Sequence, residues 1–256
     1  MSRTEERRVF VVTGAGRGIG RAVAIYLAQQ GGGVALVDMD EAALEETRAD
    51  IVAAGDEARA YHCDITQEAA VEDVFARIRA DFGRVDGLIN NAGIMRDGLL
   101  VKVKDGKVVR KMGADQFDMV IDVCLKGAFL CGREAAVHMI ESKVTDGVIV
   151  NVASVSYAGN YGQSNYSAAK AGLVAMTKVW SKELGRHGIR TVAIAPGPIE
   201  TDMLRQMPPE ALEALAGQIP LRRIGSVDNI SKLIGQLIEN DFINGAVVGI
   251  DGGVTV

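Results

Sequence analysis

Tyr166 and Lys170 are four residues apart in Tyr166-Ser167-Ala168-Ala169-Lys170. On a helix that spacing puts both side chains on one face. The pair suits proton transfer at an alcohol or a ketone. An alcohol oxidised by hydride loss must also lose its hydroxyl proton, and a free phenol with a pKa near ~10 is a poor base at neutrality. A neighbouring ammonium, helped by a nicotinamide cation, favours the phenolate, and bringing the phenol near neutrality requires about 4 kcal/mol, within reach of a desolvated site with two cations. Ser154, which ends the apolar run in Asn151-Val152-Ala153-Ser154, can donate to the substrate oxygen as charge develops there. Alone, a tyrosine and a lysine four apart are commonplace, so the pair gains its meaning from what precedes it.

Upstream, Thr13-Gly14-Ala15-Gly16-Arg17-Gly18-Ile19-Gly20 joins a short apolar run to a helix-length segment. Gly14, Gly16, Gly18 and Gly20 allow a tight turn and close approach of a pyrophosphate. The helix N-terminus adds free N–H groups and a positive dipole end, with Arg17 and Ile19 in the same turn. Asp38 closes the second apolar run, with Met39 beside it. A carboxylate there accepts from the adenosine ribose hydroxyls and repels a 2′-phosphate, so NAD is expected over NADP. Arg17 argues the other way, since it can pair with a phosphate; Asp38 outweighs it. Asp64 follows a third, weaker run. It either receives an adenine amino group, with Ile65 against the ring, or caps the next helix. In Asn91-Ala92-Gly93, Gly93 lets the backbone lie near the nicotinamide ribose, while Asn91 ties adjacent strands together.

The elements that must position these residues alternate. Apolar runs at Val9–Val12, Val34–Val37, Ala58–His62, Gly87–Ile89, Gly147–Val152, Arg190–Ile194 and Ala246–Ile250 read as strands. Between them, Gly20–Gln30, Glu41–Ala54 (capped by Asp40), Gln67–Phe82, Asp115–Ser142, Tyr166–Arg186 and Ile230–Glu239 read as helices. Runs apolar at every position are strands buried on both faces, hence an α/β parallel sheet with helices on each side, and the 256 residues read as one domain.

Composition narrows the function classes. Apolar residues are 48 % and charged residues 24 %, which is globular. A net charge of -5 does not favour nucleic acid or an anionic membrane. No run approaches the ~18 apolar residues of a membrane span. The start, Met1 to Arg8, is charged and lacks the apolar core of a signal peptide, so a cytoplasmic location is the default expectation. Cys63, Cys124 and Cys131 match no metal spacing, so neither a metal centre nor a disulfide framework is expected.

Together these motifs resemble the short-chain dehydrogenase/reductase family nearly end to end. The resemblance is carried by the glycine turn, Asn90-Asn91-Ala92-Gly93, Ser154 with Tyr166 and Lys170, Pro196-Gly197 with Thr201, and Ile250-Asp251-Gly252-Gly253. It implies a three-layer, doubly wound (Rossmann) sheet of about seven strands. It implies Tyr166 as general acid/base, Lys170 as its partner and ribose ligand, and Ser154 as substrate-oxygen donor. Ile199 and Thr201 are then nicotinamide contacts, with Pro196 and Gly197 beside them, and a homotetramer pairing the two long central helices follows. One position departs. The family places a catalytic asparagine just before Leu125-Lys126-Gly127, and here Cys124 stands there. Asp122 is about 200° away around an ideal helix, and cysteine is a weaker hydrogen-bonding group. The expectation is a working relay of reduced efficiency.

The substrate end is less legible. Ile94 to Arg96, Ser156, Tyr157, Tyr161, Gln163, Pro198 and a 201–225 lid segment are expected to line the pocket. Leu100 to Lys111 alternates and turns at Asp105-Gly106, which is a hairpin pattern. Its five basic residues and one acid mark either a docking surface for an acidic carrier or phosphate-bearing substrate, or a solvated ribbon. Three functions are weighed: NAD-dependent oxidation of a small or mid-sized secondary alcohol (or reduction of its ketone), a 3-oxoacyl thioester reductase, and a non-catalytic dinucleotide-binding regulator. The intact Ser154, Tyr166 and Lys170 disfavour the third.

Overall fold

The structure, a computed structural model, describes residues 7–201, 204 and 208–254. Strands and helices alternate through β1 (Val9–Thr13), α1 (Gly18–Gln29), β2 (Gly33–Asp38), α2 (Glu41–Ala53), β3 (Glu57–His62), α3 (Glu68–Phe82) and β4 (Gly87–Asn90). A hairpin, β5 (Val101–Lys104) and β6 (Lys107–Lys111), precedes α4 (Ala114–Ile121) and α5 (Ala128–Glu141). Then come β7 (Gly147–Val152), α6 (Ser164–Leu184), β8 (Ile189–Pro196) and the short β9 (Ile199–Glu200). The chain ends with α7 (Pro209–Gln218), β10 (Gly225–Ser226), α8 (Val227–Glu239) and β11 (Val247–Ile250).

Seven strands form one parallel sheet in the order β11-β8-β7-β4-β1-β2-β3. Alternate residues of each strand feed opposite layers. Val12, Leu36 and Val150 pack with Val23, Leu27 and Ile234 on one side. Val11, Val37 and Ile149 pack with Phe75, Ile78 and Met139 on the other. Burying each such side chain contributes about 1.5–3 kcal/mol, which is why the strands read as unbroken apolar runs. From β1 the chain builds outward to β2 and β3, then returns to β4 on the other side of β1. That reversal opens a crevice at the strands' C-terminal ends, where ligands bind in such sheets.

The expected single helix from Asp115 to Ser142 is interrupted. Between α4 and α5 the chain forms a π-helical turn over Asp122–Gly127, with Cys124 fully buried inside it. Such one-turn insertions rotate the flanking faces and gather at functional sites. The exposed carboxylate of Asp122 pairs with Lys126 at 3.8 Å, which takes it out of the site. Apolar periodicity does not show the insertion, since it continues through it. Nor does it show the β9–β10 ribbon, because two-residue strands carry no pattern. Of the lid segment, α7 and the ribbon are described; residues 202, 203 and 205–207 of that expectation lie outside the described residues.

Candidate active site

The glycine turn lies where β1 meets α1. Gly14 and Gly18 have φ of 67° and 56°, backbone that side-chain-bearing residues rarely adopt. A Cβ on Gly20 would fall 2.0 Å from the Gly14 carbonyl oxygen, so helix and turn approach each other through a gap only glycine leaves. The side chain of Arg17, the N-cap of α1, makes no capping bond, and the first turn of α1 holds no acidic residue. Its N–H groups therefore present positive potential to an anion. Asn91 donates from Nδ2 to the carbonyls of Thr13 at 3.0 Å and Gly14 at 3.2 Å, locking the turn to the end of β4. Ala92 follows it, its N–H on the Thr13 hydroxyl at 3.1 Å.

At the end of β2, Asp38 accepts from the Gly16 N–H at 3.0 Å and from the Met39 and Asp40 N–H groups at 2.7 and 3.2 Å. A Cβ on Gly16 would lie 3.1 Å from an Asp38 carboxylate oxygen. The carboxylate is thus fixed beside the glycine turn at the C-terminal end of β2. Arg17, the counter-indication, is ion-paired with Asp40. Asp64 spends Oδ1 on the N–H and hydroxyl of Thr66 at 3.0 and 2.8 Å, a turn before α3, whose N-cap is Gln67. Ile65 packs inward, within 2.7 Å of where a Gly127 Cβ would stand, rather than presenting an open face. Thr201 reaches the glycine turn, its Cγ2 3.6 Å from a Cβ built on Gly18. Gly197 follows Pro196, the last residue of β8. Its N–H donates to the Ile250 carbonyl, and a Cβ built on it would meet the Asp251 Cα at 2.8 Å, which explains the pairing of those two motifs. Ile199 is buried in β9. These residues fit a dinucleotide: glycines that leave room, an uncapped helix end, and a carboxylate fixed beside the turn.

The proton-transfer residues converge one layer along. Ser154 follows β7; its hydroxyl accepts the Ser156 N–H at 3.2 Å and lies near enough to the Tyr166 phenol to favour its ionised form. Tyr166 lies in the first turn of α6, with Lys170 one turn on. Lys170 Nζ sits 5.4 Å from the Tyr166 ring centre and donates to the Val152 carbonyl at 2.7 Å. A Cβ on Gly93 would stand 3.4 Å from Cys124 Sγ and 3.7 Å from Lys170 Nζ, so Gly93, Cys124, Tyr166 and Lys170 meet in one niche.

In the protein alone Tyr166 is not poised as phenolate. Burial pushes its phenol up to about 12, Cys124 and Asp97 add to the rise, and the nearby Ser154 hydroxyl opposes it. Burial also lowers the Lys170 ammonium, whose hydrogen bond goes to Val152 and not to the phenol. Desolvation outweighs a partner that points elsewhere.

One positioning residue, Asn165, carries no sequence signal. Asn165, fully buried, donates to the carbonyls of Arg96 and Gln116 and accepts the Tyr166 N–H at 2.9 Å. It ties the loop after β4, α4 and α6 together. Asn90 and Asn151 bridge β4 to β7, and Asn151 reaches Thr177 of α6. Gln163 donates to Asp97 at 2.8 Å, forming one rim of the mouth. Of the expected pocket residues, Ser156 and Gln163 are buried there, Tyr157 is partly exposed and Tyr161 is 85 % exposed. A cavity of about 370 Å³ lies against the β9–β10 ribbon and α8, lined by Pro198, Arg223 and Lys232 among others. None of Ser154, Tyr166 and Lys170 lines it.

Residues 14–255 match a family model described as enoyl-(acyl carrier protein) reductase. The chain is 37 % identical to a 3-oxoacyl-[acyl-carrier-protein] reductase of Thermotoga maritima over 98 % of its length and 99 % of that protein. It is 37 % identical to a (3R)-3-hydroxyacyl-CoA dehydrogenase of Canis lupus familiaris, covering 95 % of each. Among solved structures, a short-chain type dehydrogenase/reductase from Mycobacterium marinum superposes with a TM-score of 0.86 at 29 % identity, covering 96 % of this chain and 94 % of that one. With the glycine turn and the Ser154, Tyr166 and Lys170 niche in place, the chain belongs to the short-chain dehydrogenase/reductase family and is a nicotinamide-dinucleotide oxidoreductase.

Proposed function

We propose that the protein moves a hydride between NAD(H) and the secondary alcohol or ketone of a 3-hydroxyacyl or 3-oxoacyl thioester. The observation that carries the reaction is Lys170 Nζ, 5.4 Å from the ring centre of Tyr166, with the Ser154 hydroxyl near the same phenol. NAD rests on Asp38, bound to the turn at Gly16, with Arg17 engaged by Asp40. A second carboxylate at that rim deepens the repulsion a 2′-phosphate would meet. The thioester rests on the relatives: a carrier-protein reductase and a CoA dehydrogenase, each matched end to end. A thioester-free secondary alcohol is the broader form of the same chemistry.

The bound nicotinamide supplies or takes the hydride. In reduction, Ser154 donates to the carbonyl oxygen, and Tyr166 Oη delivers its proton to that oxygen as negative charge appears. A phenol held up near about 12 carries that proton at neutral pH, so the free protein is set for the acid role. In oxidation Tyr166 Oη must accept the hydroxyl proton. Lys170, once turned from Val152 toward the phenol and the ribose, favours the phenolate this needs.

The test follows nicotinamide absorbance with NADH and NADPH separately, on acetoacetyl thioesters and on simple ketones, with Tyr166→Phe as control. Faster turnover of acetoacetyl thioesters with NADH, lost in the variant, supports the reading. Preference for NADPH overturns the cofactor assignment. Turnover of simple ketones alone leaves the broader alcohol/ketone chemistry and removes the thioester.

A further inference from the structure

The hairpin of β5 and β6 plays no part in the site described. Its turn residues Asp105 and Gly106 have φ of 51° and 73°, both positive, the tight turn that matches strand twist. The register shifts between Lys102 and Val103, leaving Val109 as an extra residue. That bulge has a consequence for charge. Lys102 pairs with Arg110 and Lys104 with Lys107, so all four cations share one face although Lys107 and Arg110 are three apart. The opposite face carries Val101, Val103 and Val108, each about half exposed or more, with Lys111 paired to Val101 at its base.

These charges are held unneutralised. Among the described residues, Arg7, Arg17, Arg21, Arg79 and Arg133 all sit in ion pairs, whereas no ion pair within 4.0 Å engages Lys102, Lys104, Lys107 or Arg110. Five cations and one acid give residues 101–111 a charge of +4 within a chain of -5, leaving -9 for the rest. The hairpin is therefore an isolated positive projection on an acidic body.

It stands at the mouth of the site. Gly98 donates to the Gly162 carbonyl at 2.8 Å and bridges Gln163, just before the helix that bears Tyr166. Met112 closes the hairpin base on Leu100 at 3.0 Å, and Arg110 reaches Gln116, which itself donates to Arg96 and Asp97. A projecting ribbon is convex, whereas small ligands take concave sites. A two-stranded hairpin with an exposed valine face is also marginal by itself, as befits an element completed by another protein.

We infer that this hairpin docks an acidic carrier protein that presents the acyl thioester to the Tyr166 niche. This rests on the thioester reading. Lysines on alternate strand residues stand about 7 Å apart, close to the rise of one helical turn, so the face matches a helix with carboxylates one turn apart. The charge pattern steers encounter and sets the binding of the carried substrate, and leaves the chemistry untouched.

The test is the variant Lys102→Gln, Lys104→Gln, Lys107→Gln, Arg110→Gln, assayed on acetoacetyl-acyl carrier protein, acetoacetyl-CoA and uncharged acetoacetyl-N-acetylcysteamine. The expected result is a KM for the carrier-bound substrate raised about tenfold, with kcat and the uncharged thioester unaffected. Added salt should raise that KM in the native protein and barely in the variant. An unchanged carrier KM overturns docking. An equal rise with acetoacetyl-CoA assigns the charges to the CoA phosphates and overturns it too. A changed oligomeric mass by light scattering makes the hairpin a contact between copies, and docking falls there as well. Native protein inactive on all three thioesters overturns the thioester reading and this inference together; activity with an unaltered carrier KM overturns docking alone.

Discussion

Cys124 Sγ lies 3.3 Å from the backbone nitrogen of Ile94 and 3.4 Å from its carbonyl oxygen. The thiol thus accepts one hydrogen bond and donates another, tethering the loop after β4 to the π turn between α4 and α5. Sulfur makes both bonds weakly. An amide would make them with a stronger donor and acceptor from the same place. Cys124→Asn is therefore expected to raise kcat several-fold in steady-state assays. An unchanged or lower rate would show that the thiol position is not limiting.

Tyr166→Phe keeps the ring packing and removes the hydroxyl proposed to exchange a proton with the substrate oxygen. Turnover should fall by about 10²–10⁴, with NADH binding by fluorescence titration within a few-fold of native. Residual turnover within about tenfold of native would reject Tyr166 as the general acid/base.

The raised phenol sets a pH dependence. An unfolded tyrosine ionises near ~10, whereas Tyr166 in the folded protein holds its proton to about 12. Between those values the unfolded state binds fewer protons, so stability is full below ~10 and falls as pH rises toward about 12. Thermal melts of the cofactor-free protein should show this decline, less steep in Tyr166→Phe. Bound dinucleotide should bring the phenol down, so phenolate absorbance appears at lower pH with NAD present. A titration indifferent to NAD would refute that coupling.

Asp38→Ala removes the carboxylate at the ribose end of the turn. The preference for NADH over NADPH should fall about tenfold, since about 1.4 kcal/mol of lost repulsion is enough for that. The ratio of kcat/KM for the two cofactors measures it, and an unmoved ratio places discrimination elsewhere, at Arg17 and Asp40.

Gly20→Ala drives a methyl into the Gly14 carbonyl, because the gap there is 2.0 Å. Overpacking of this kind costs about 1–3 kcal/mol or more and displaces the turn. Urea titration should show the lost stability, and dinucleotide affinity should fall with it. Native-like melting with intact binding would mean that turn and helix separate more easily than their packing indicates.

The sequence by itself determined the sheet and the chemistry. Strands buried on both faces must be apolar throughout, so β1, β2, β4, β7 and β8 are visible as runs. Close backbone approach demands glycine, so the turn at Gly14 to Gly20 is visible as composition. The i,i+4 face of α6 makes Tyr166 and Lys170 neighbours on spacing alone. The Asp105-Gly106 hairpin is legible because its turn type needs those residues. What only the tertiary structure decided depends on partners far apart in the chain. The π turn at Cys124 leaves apolar periodicity intact, so nothing in the pattern marks it. Asn165 reads as an ordinary polar residue until α6 brings it against the Arg96 and Gln116 carbonyls. The direction of Lys170, toward Val152, and the burial that lifts the Tyr166 phenol arise from desolvation, which is a property of the assembled surroundings and not of the residues taken singly.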